Sequence, residues 1–241
     1  MANRIKLDNA LKKRQKQKEK KQERKKKISC RILIVCEGEK TEPYYFKEFK
    51  KINNDSFTYE VSAEGKGLNT IAVVEDAIAR KQQAELTTTP YDSVWAVFDK
   101  DDFPKDRFNN AIYRAKEHGV NVAWSNEAFE LWYLYHFLNR TTAMSRDEYK
   151  KAISAAVNKS NNFKCKKAYI YEKGIPGNYA IMNKYGSQEN AIKWAKKQHR
   201  TYVDEKFADH NPCTTVYLLV LQLLNRDKEL INQVMEKINQ K

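Results

Sequence analysis

No stretch of this 241-residue chain approaches the roughly 18 consecutive apolar residues that a membrane-spanning helix needs. Its N-terminal segment also lacks the apolar block of a secretory signal. A soluble, cytoplasmic protein without a membrane partner is therefore expected. Cysteine and histidine are scarce: four of each, with no CxxC and no HxxxH, so the spacing of a zinc site is absent. Cys30, Cys36, Cys165 and Cys213 read as reduced thiols, two of them in one strand. No internal repeat is visible. Apolar residues make up only 41%, yet 14 Tyr, 10 Phe and 4 Trp supply large side chains for a core.

The charge is uneven. The chain carries 45 Lys+Arg against 31 Asp+Glu, a net +14, and residues 1–27 alone hold 13 basic and 3 acidic residues. Beyond Lys27 the balance is 32 to 28, so the basicity describes an arm more than a domain. From Leu11 to Lys27 the arm is almost wholly Lys, Arg, Gln and Glu. Such a segment forms a solvated helix or a nucleic-acid contact, and the second would be salt-dependent because each neutralised phosphate releases counterions.

After the arm, strand and helix patterns alternate. Strands are predicted over Arg31–Cys36, Phe57–Ser62, Ser93–Phe98 and Val120–Ser125. Helices are predicted from Pro43 to about Ile52, then with Ile71, Val74, Ala77, Ile78 and Ala79 on one side, and over Pro104–His118 with Phe108, Ala111, Ile112 and Ala115 on one face. This βαβαβαβ order is that of an α/β fold with an open parallel sheet. From Asn126 onward only helices are predicted, at about 127–138, 147–157, 164–171, 178–185, 189–207, 212–225 and 228–239. A boundary near residues 139–142 divides the chain into an arm (1–27), a sheet domain (28–140) and a helical region (141–241).

Two of the strands end in acid. Arg31-Ile32-Leu33-Ile34-Val35-Cys36 runs into Glu37-Gly38-Glu39-Lys40-Thr41-Glu42, and Val94-Trp95-Ala96-Val97-Phe98 runs into Asp99-Lys100-Asp101-Asp102. Continuous apolar runs suit the centre of a parallel sheet covered on both faces, and ligands bind where such strands' carboxyl ends open. Two carboxylates about 4 Å apart repel by about 4 kcal/mol at an effective dielectric of about 20, so a shared site would protonate one of them or capture a cation. Oxygen donors of this kind select Mg²⁺ or Mn²⁺, which bind substrate phosphates and can activate a phosphodiester for cleavage. The competing reading is that these acids cap helices and turns, as Asp102 is expected to do.

Three motifs together carry a resemblance: Glu37-Gly38-Glu39-Lys40-Thr41-Glu42-Pro43-x-Tyr45-Phe46, Phe98-Asp99-Lys100-Asp101-Asp102-Phe103, and Ser125-Asn126-x-x-Phe129-Glu130-Leu131-Trp132-x-Leu134-x-His136-Phe137. They resemble the RloB family, a branch of the toprim superfamily; the late Asn211-Pro212-x-Thr214-x-Val216 is similar to a further family feature. The resemblance implies a toprim-like, Rossmann-like parallel sheet followed by a helical region. It also implies a metal-dependent nuclease-like activity on DNA or an RNA such as tRNA, an ATPase partner, and a role in prokaryotic anti-phage defence. Carried over by residue, Glu37 is the expected general acid/base or metal ligand and Asp99 and Asp101 are expected metal ligands. Glu42 is a candidate for a second metal or for positioning Thr41. The family often has proline after Ser-Asn, where this chain has Glu127; either residue suits a first helical turn.

Around this acidic set, Lys40 reads equally as a phosphate contact or an exposed loop lysine. Gly65-Lys66-Gly67 reads as a strand-to-helix turn, or as backbone N–H groups and Lys66 approaching phosphate. Glu130 and His136 are secondary site candidates, each with a plain packing or dipole reading beside it. Lys164, Lys166, Lys167 and Lys173 interleave with Tyr169 and Tyr171, a pattern that suits phosphate contact and base stacking as well as a solvated helix face. Lys193, Lys196, Lys197, His199 and Arg200 form a second basic cluster. The expectation is a Mg²⁺- or Mn²⁺-dependent endonuclease; its rival is a non-catalytic subunit that binds nucleic acid or the ATPase, and self-association is left open. A phosphatase of the haloacid dehalogenase type is disfavoured, because the Asp99-x-Asp101 pair follows the third strand and Phe103 stands where Thr or Val is usual.

Overall fold

The computed structural model describes residues 14–15, 28–51, 57–65, 69–224, 226, 227, 229, 232, 233 and 236. Most of the basic arm, Lys66 and Gly67 of the predicted turn, and most of the predicted helix 228–239 lie outside the described residues. Among the described residues, five strands form one sheet: β1 (Ile28–Cys36), β2 (Phe57–Gly65), β3 (Ser93–Asp99), β4 (Asn121–Asn126) and β5 (Cys213–Thr214), in the order β2-β1-β3-β4-β5. The first four pair in parallel and β5 pairs antiparallel with β4. The fold is α/β, with helices interleaved between the parallel strands and more helices following them.

The apolar runs become β1 and β3 because every residue of them meets a covered face. Ile32, Ile34 and Cys36 of β1 and Trp95 and Val97 of β3 enter one core, while Leu33 and Val35 with Val94, Ala96 and Phe98 enter the other. Period-two alternation sends neighbours to opposite faces, so a strand buried on both sides must be apolar throughout. The second core is closed by α2 (Thr70–Glu85) and α3 (Lys105–Glu117). α3 buries Phe108, Ala111, Ile112 and Ala115, the face predicted for it. On α2 the predicted face is turned: Val73, Val74, Ala77 and Ile78 are buried, whereas Ile71 and Ala79 are exposed. Val73, which the pattern passed over, completes with Val74, Ala77 and Ile78 the buried patch, two neighbouring pairs one turn apart.

The first core is closed by α1 (Thr41–Lys47), α4 (Glu130–Tyr135), α5 (Arg146–Lys159), α6 (Asn178–Tyr185), α7 (Gln188–His199) and α8 (Val216–Leu223). It is aromatic: Tyr45 has Phe46, Phe49, Phe129, Trp132, Tyr133 and Tyr179 as ring neighbours. A buried hydrogen bond from Trp95 Nε1 to Gln222 Oε1 (2.7 Å) ties β3 to α8. One packed body thus spans strands and C-terminal helices.

Three expectations for the region after Asn126 are corrected. Residues 164–171 are not helical; the segment is irregular, with a bend at Lys166–Lys167, and α5 supplies backbone partners at its C-terminal end. Asn158 Oδ1 accepts from the Tyr169 N–H and Asn158 Nδ2 donates to the Tyr169 carbonyl (2.8 Å each), and Ser154 Oγ accepts from the Tyr171 N–H at 2.9 Å. The region is also not purely helical: Cys213–Thr214 extends the sheet, with Thr214 Oγ1 2.9 Å from Ser125 Oγ. Because of that strand, α8 starts at Val216 rather than near Pro212. Finally, α7 ends at His199 rather than continuing to Phe207. Tyr202 instead stacks on His210, whose Nε2 pairs with Asp204 at 2.8 Å, and this needs a turn where a helix would run straight.

Among the described residues no helix is long and apolar enough to cross a membrane. None of the four cysteines is in a disulfide; Cys30, Cys36 and Cys213 are buried and Cys165 is exposed.

Candidate active site

The strand order changes direction between β1 and β3: β1 is followed by β2 on one side, and β3 joins on the other. Such a switch point leaves a crevice at the strands' carboxyl ends. A pocket of about 470 Å³ opens there, lined by Glu37 to Glu42, Asp99, Asp101, Arg146, Lys173 and Gly174.

Glu37 leaves β1 with its N–H on the Val97 carbonyl (2.9 Å) and its Oε2 accepting from the Asp99 N–H at 3.1 Å. Thr70, the first residue of α2, donates to Glu37 Oε1 at 3.4 Å. Burial raises the Glu37 carboxyl to about 7 against the Asp99 N–H, which favours the charged form, with Glu42 and Asp101 adding repulsion. Asp99 shares the β3 face of Trp95 and Val97 and is only 5% exposed. Its pKa is raised well above the ordinary value, first by burial and then by Glu42 and Glu130. Glu42, in the first turn of α1, is 4% exposed and has its pKa raised by burial, opposed by Lys173 and reinforced by Glu130. Its Oε2 has no hydrogen-bond partner. Asp101 sits in a turn with a positive φ of 44°.

Cations face these acids. Arg146, the first residue of α5, pairs through Nη1 with Asp101 Oδ2 and lies 3.9 Å from Asp99 Oδ2 through Nη2. Lys173 lies 3.7 Å from Glu130 Oε1, which also accepts from the Tyr171 hydroxyl at 2.9 Å. Lys40 lines the rim, and its Cβ is close enough to Gly174 that a side chain there would stand 3.2 Å from it.

The pocket therefore brings together Glu37, Lys40, Glu42, Asp99, Asp101 and Lys173, with Glu130 buried beside them. Lys164, Lys166 and Lys167 are exposed on the irregular segment that leads to Tyr171 and do not line it. His136 is fully enclosed away from the pocket: its Nδ1 lies 3.0 Å from the Trp132 carbonyl, and burial lowers its pKa to about 4. Sequence reasoning missed Arg146, Thr70 and Gly38. For Arg146 a signal existed. Ser145-x-x-Glu148 is a capping-box pattern, realised here by Glu148 Oε2 accepting from the Ser145 N–H (2.8 Å), and it marks Arg146 as a cation at the end of a helix where the dipole disfavours one.

The donor chemistry is that of a hard divalent cation: oxygen only, largely buried, with an unpartnered oxygen on each of Glu42 and Glu130. The side chains as they stand do not close around one ion. Among the described residues no group of three or more His, Cys, Asp or Glu is placed to hold a metal, and Asp101 is engaged by Arg146 instead.

Compared with known proteins, residues 32–223 match the family described as RloB-like protein. No curated protein and no solved structure matches the chain.

Proposed function

Because this chain belongs to the RloB-like family, a toprim-related family, we propose that it is a Mg²⁺- or Mn²⁺-dependent endonuclease that cuts a nucleic-acid phosphodiester backbone. The observation that carries the reading is the convergence of Glu37, Asp99 and Asp101, at the ends of two adjacent parallel strands, with Glu42 of α1 in one pocket rimmed by Lys40, Arg146 and Lys173. Those four carboxylates are the residues to hold the cation, which when bound would polarise the scissile phosphate. The protein's own groups supply the rest. Glu37, whose carboxyl burial raises to about 7 before a cation is bound, serves either as one of those ligands or as the group that takes and returns a proton. Lys40 stands at the rim as a point charge for a phosphate oxygen. The exposed Lys164, Lys166 and Lys167 extend the positive surface away from the pocket along a strand of nucleic acid. An ATPase partner and a role in anti-phage defence belong to the proposal through the family.

A second reading, a non-catalytic subunit that binds nucleic acid or the ATPase, is favoured by one observation: Arg146 occupies Asp101 and, among the described residues, no three acids cage an ion. A cleavage assay separates the two. Wild type, Glu37→Gln and Asp99→Asn would be incubated with tRNA, single-stranded RNA and supercoiled DNA in Mg²⁺ or Mn²⁺, with and without the ATPase. Cleavage by wild type alone is expected. Intact substrates throughout, with retained nucleic-acid binding, would establish the binding subunit.

A further inference from the structure

Resting on the reading of the pocket as a metal-dependent phosphodiester site, we propose that Arg146 is the pocket's resident counter-ion. Its guanidinium holds Asp101 and Asp99 in the metal-free protein, and a divalent ion enters by displacing it.

The residue stands where helix electrostatics would not put it. As the first residue of α5 it meets the positive end of the helix dipole, where a cation is disfavoured by about 0.3–1 kcal/mol. The capping box of Ser145 and Glu148 fixes that helix start and so fixes the direction from which the guanidinium reaches the pocket. What it reaches is the acid pair that ends β3: Nη1 pairs with Asp101 Oδ2, and Nη2 lies 3.9 Å from Asp99 Oδ2. The pocket's other inner cation, Lys173, is committed to Glu130 at 3.7 Å. Lys173 also acts on Glu42 and Asp99 through space, but Arg146 is the cation paired with Asp101.

Mobility is built into the arrangement. The Arg146 side chain is 42% exposed while that of Asp99 is 7% exposed, so the arginine can withdraw into water and the aspartate cannot follow. Arginine is weakly hydrated and carries a planar fork matched to carboxylate, which makes it a good occupant of a partly dry acidic site. With Nη1 on Asp101 and Nη2 toward Asp99, the acids stay apart and, among the described residues, no three of them converge, although four line the same pocket. Withdrawal of Arg146 frees Asp101 and Asp99 together.

The test is Mn²⁺ binding to the full chain, read from the loss of the free-ion electron paramagnetic resonance signal. The proteins are wild type, Arg146→Gln, Arg146→Lys, Lys173→Gln and, as a binding-deficient control, Asp99→Asn, with circular dichroism to verify folding. Lys173→Gln removes the same unit of charge from the pocket without touching Asp101, so it measures the diffuse electrostatic effect. Arg146→Gln is expected to bind Mn²⁺ about tenfold tighter than wild type, Lys173→Gln no more than about threefold tighter, and Arg146→Lys to fall between them because an ammonium lacks the fork. Equal tightening in Arg146→Gln and Lys173→Gln, or weaker binding in Arg146→Gln, would overturn the counter-ion role while leaving the metal site intact. Absence of Mn²⁺ binding in wild type and in both Arg146 variants would overturn the metal reading of the pocket itself.

Discussion

Glu37 Oε2 and the backbone N–H of Asp99 are joined by a 3.1 Å hydrogen bond, so the exits of β1 and β3 are fastened to each other by the very carboxylate that faces the pocket. A structural link and a titratable group are one side chain. That coupling makes stability depend on pH.

The native Glu37 carboxyl titrates at about 7 against an ordinary value of 4.5, so between those limits the folded state binds more protons than the unfolded one. Stability from this group is present at low pH and lost as pH rises through the folded pKa. The Glu37 contribution to stability should therefore be larger at pH 5 than at pH 8, set against the opposite contribution of buried His136, whose lowered pKa takes stability away as pH falls. Glu37→Gln keeps an acceptor for the Asp99 N–H without the charge and should flatten part of that slope, with Glu42 and Asp99 supplying the remainder. Calorimetric scans at four pH values would decide, and parallel profiles for the two proteins would contradict the assignment.

Gly38 is small for a reason that lies across the pocket. A Cβ there would overlap Glu42 Oε2 and stand 2.9 Å from Oε1 and the carboxyl carbon. Glu42 is buried, so its carboxylate has little room to retreat. Gly38→Ala should cost about 1–3 kcal/mol of stability and lower Mn²⁺ affinity together with any cleavage. Unchanged metal affinity in a folded Gly38→Ala protein would show that Glu42 is not a ligand.

The Tyr171 hydroxyl is the short donor to Glu130. Tyr171→Phe leaves that buried acid with Lys173 and should destabilise the protein by about 1.5–3 kcal/mol, as expected for removing a hydrogen bond to a charged group. Urea unfolding of the variant, with an unchanged m-value, is the measurement.

Lys164, Lys166 and Lys167 are exposed and stand outside the pocket lining. Their joint replacement by Gln should weaken nucleic-acid binding and make its salt dependence shallower, the log–log slope falling by about 0.7–0.9 for each phosphate no longer neutralised. Fluorescence anisotropy at several salt concentrations reads both. A steep slope preserved in the triple variant would move the binding surface elsewhere.

The sheet was legible because β1 and β3 are buried on both faces and so write themselves as unbroken apolar runs, and their carboxylates were legible because they follow those runs directly. The C-terminal half obeys longer-range rules. A two-residue strand such as Cys213–Thr214 has no period to detect, since it exists only because Ser125 and Asn126 lie opposite it. Over residues 164–171 the short helical spacing of Cys165, Ala168 and Tyr169 is overridden, because Asn158 and Ser154 of another element take the backbone groups of Tyr169 and Tyr171. Arg146 joins the pocket from 45 positions beyond Asp101, and only the fold shortens that distance.

Asp101 adopts a left-handed backbone conformation, φ 44°, which glycine accepts more readily than any residue bearing a Cβ. The fold on its own would thus be better served by glycine at this turn. A library of variants enriched for heat resistance alone should accumulate Asp101→Gly, and one enriched for function should purge it; where the two selections part company, a position is being kept for chemistry at the expense of the scaffold.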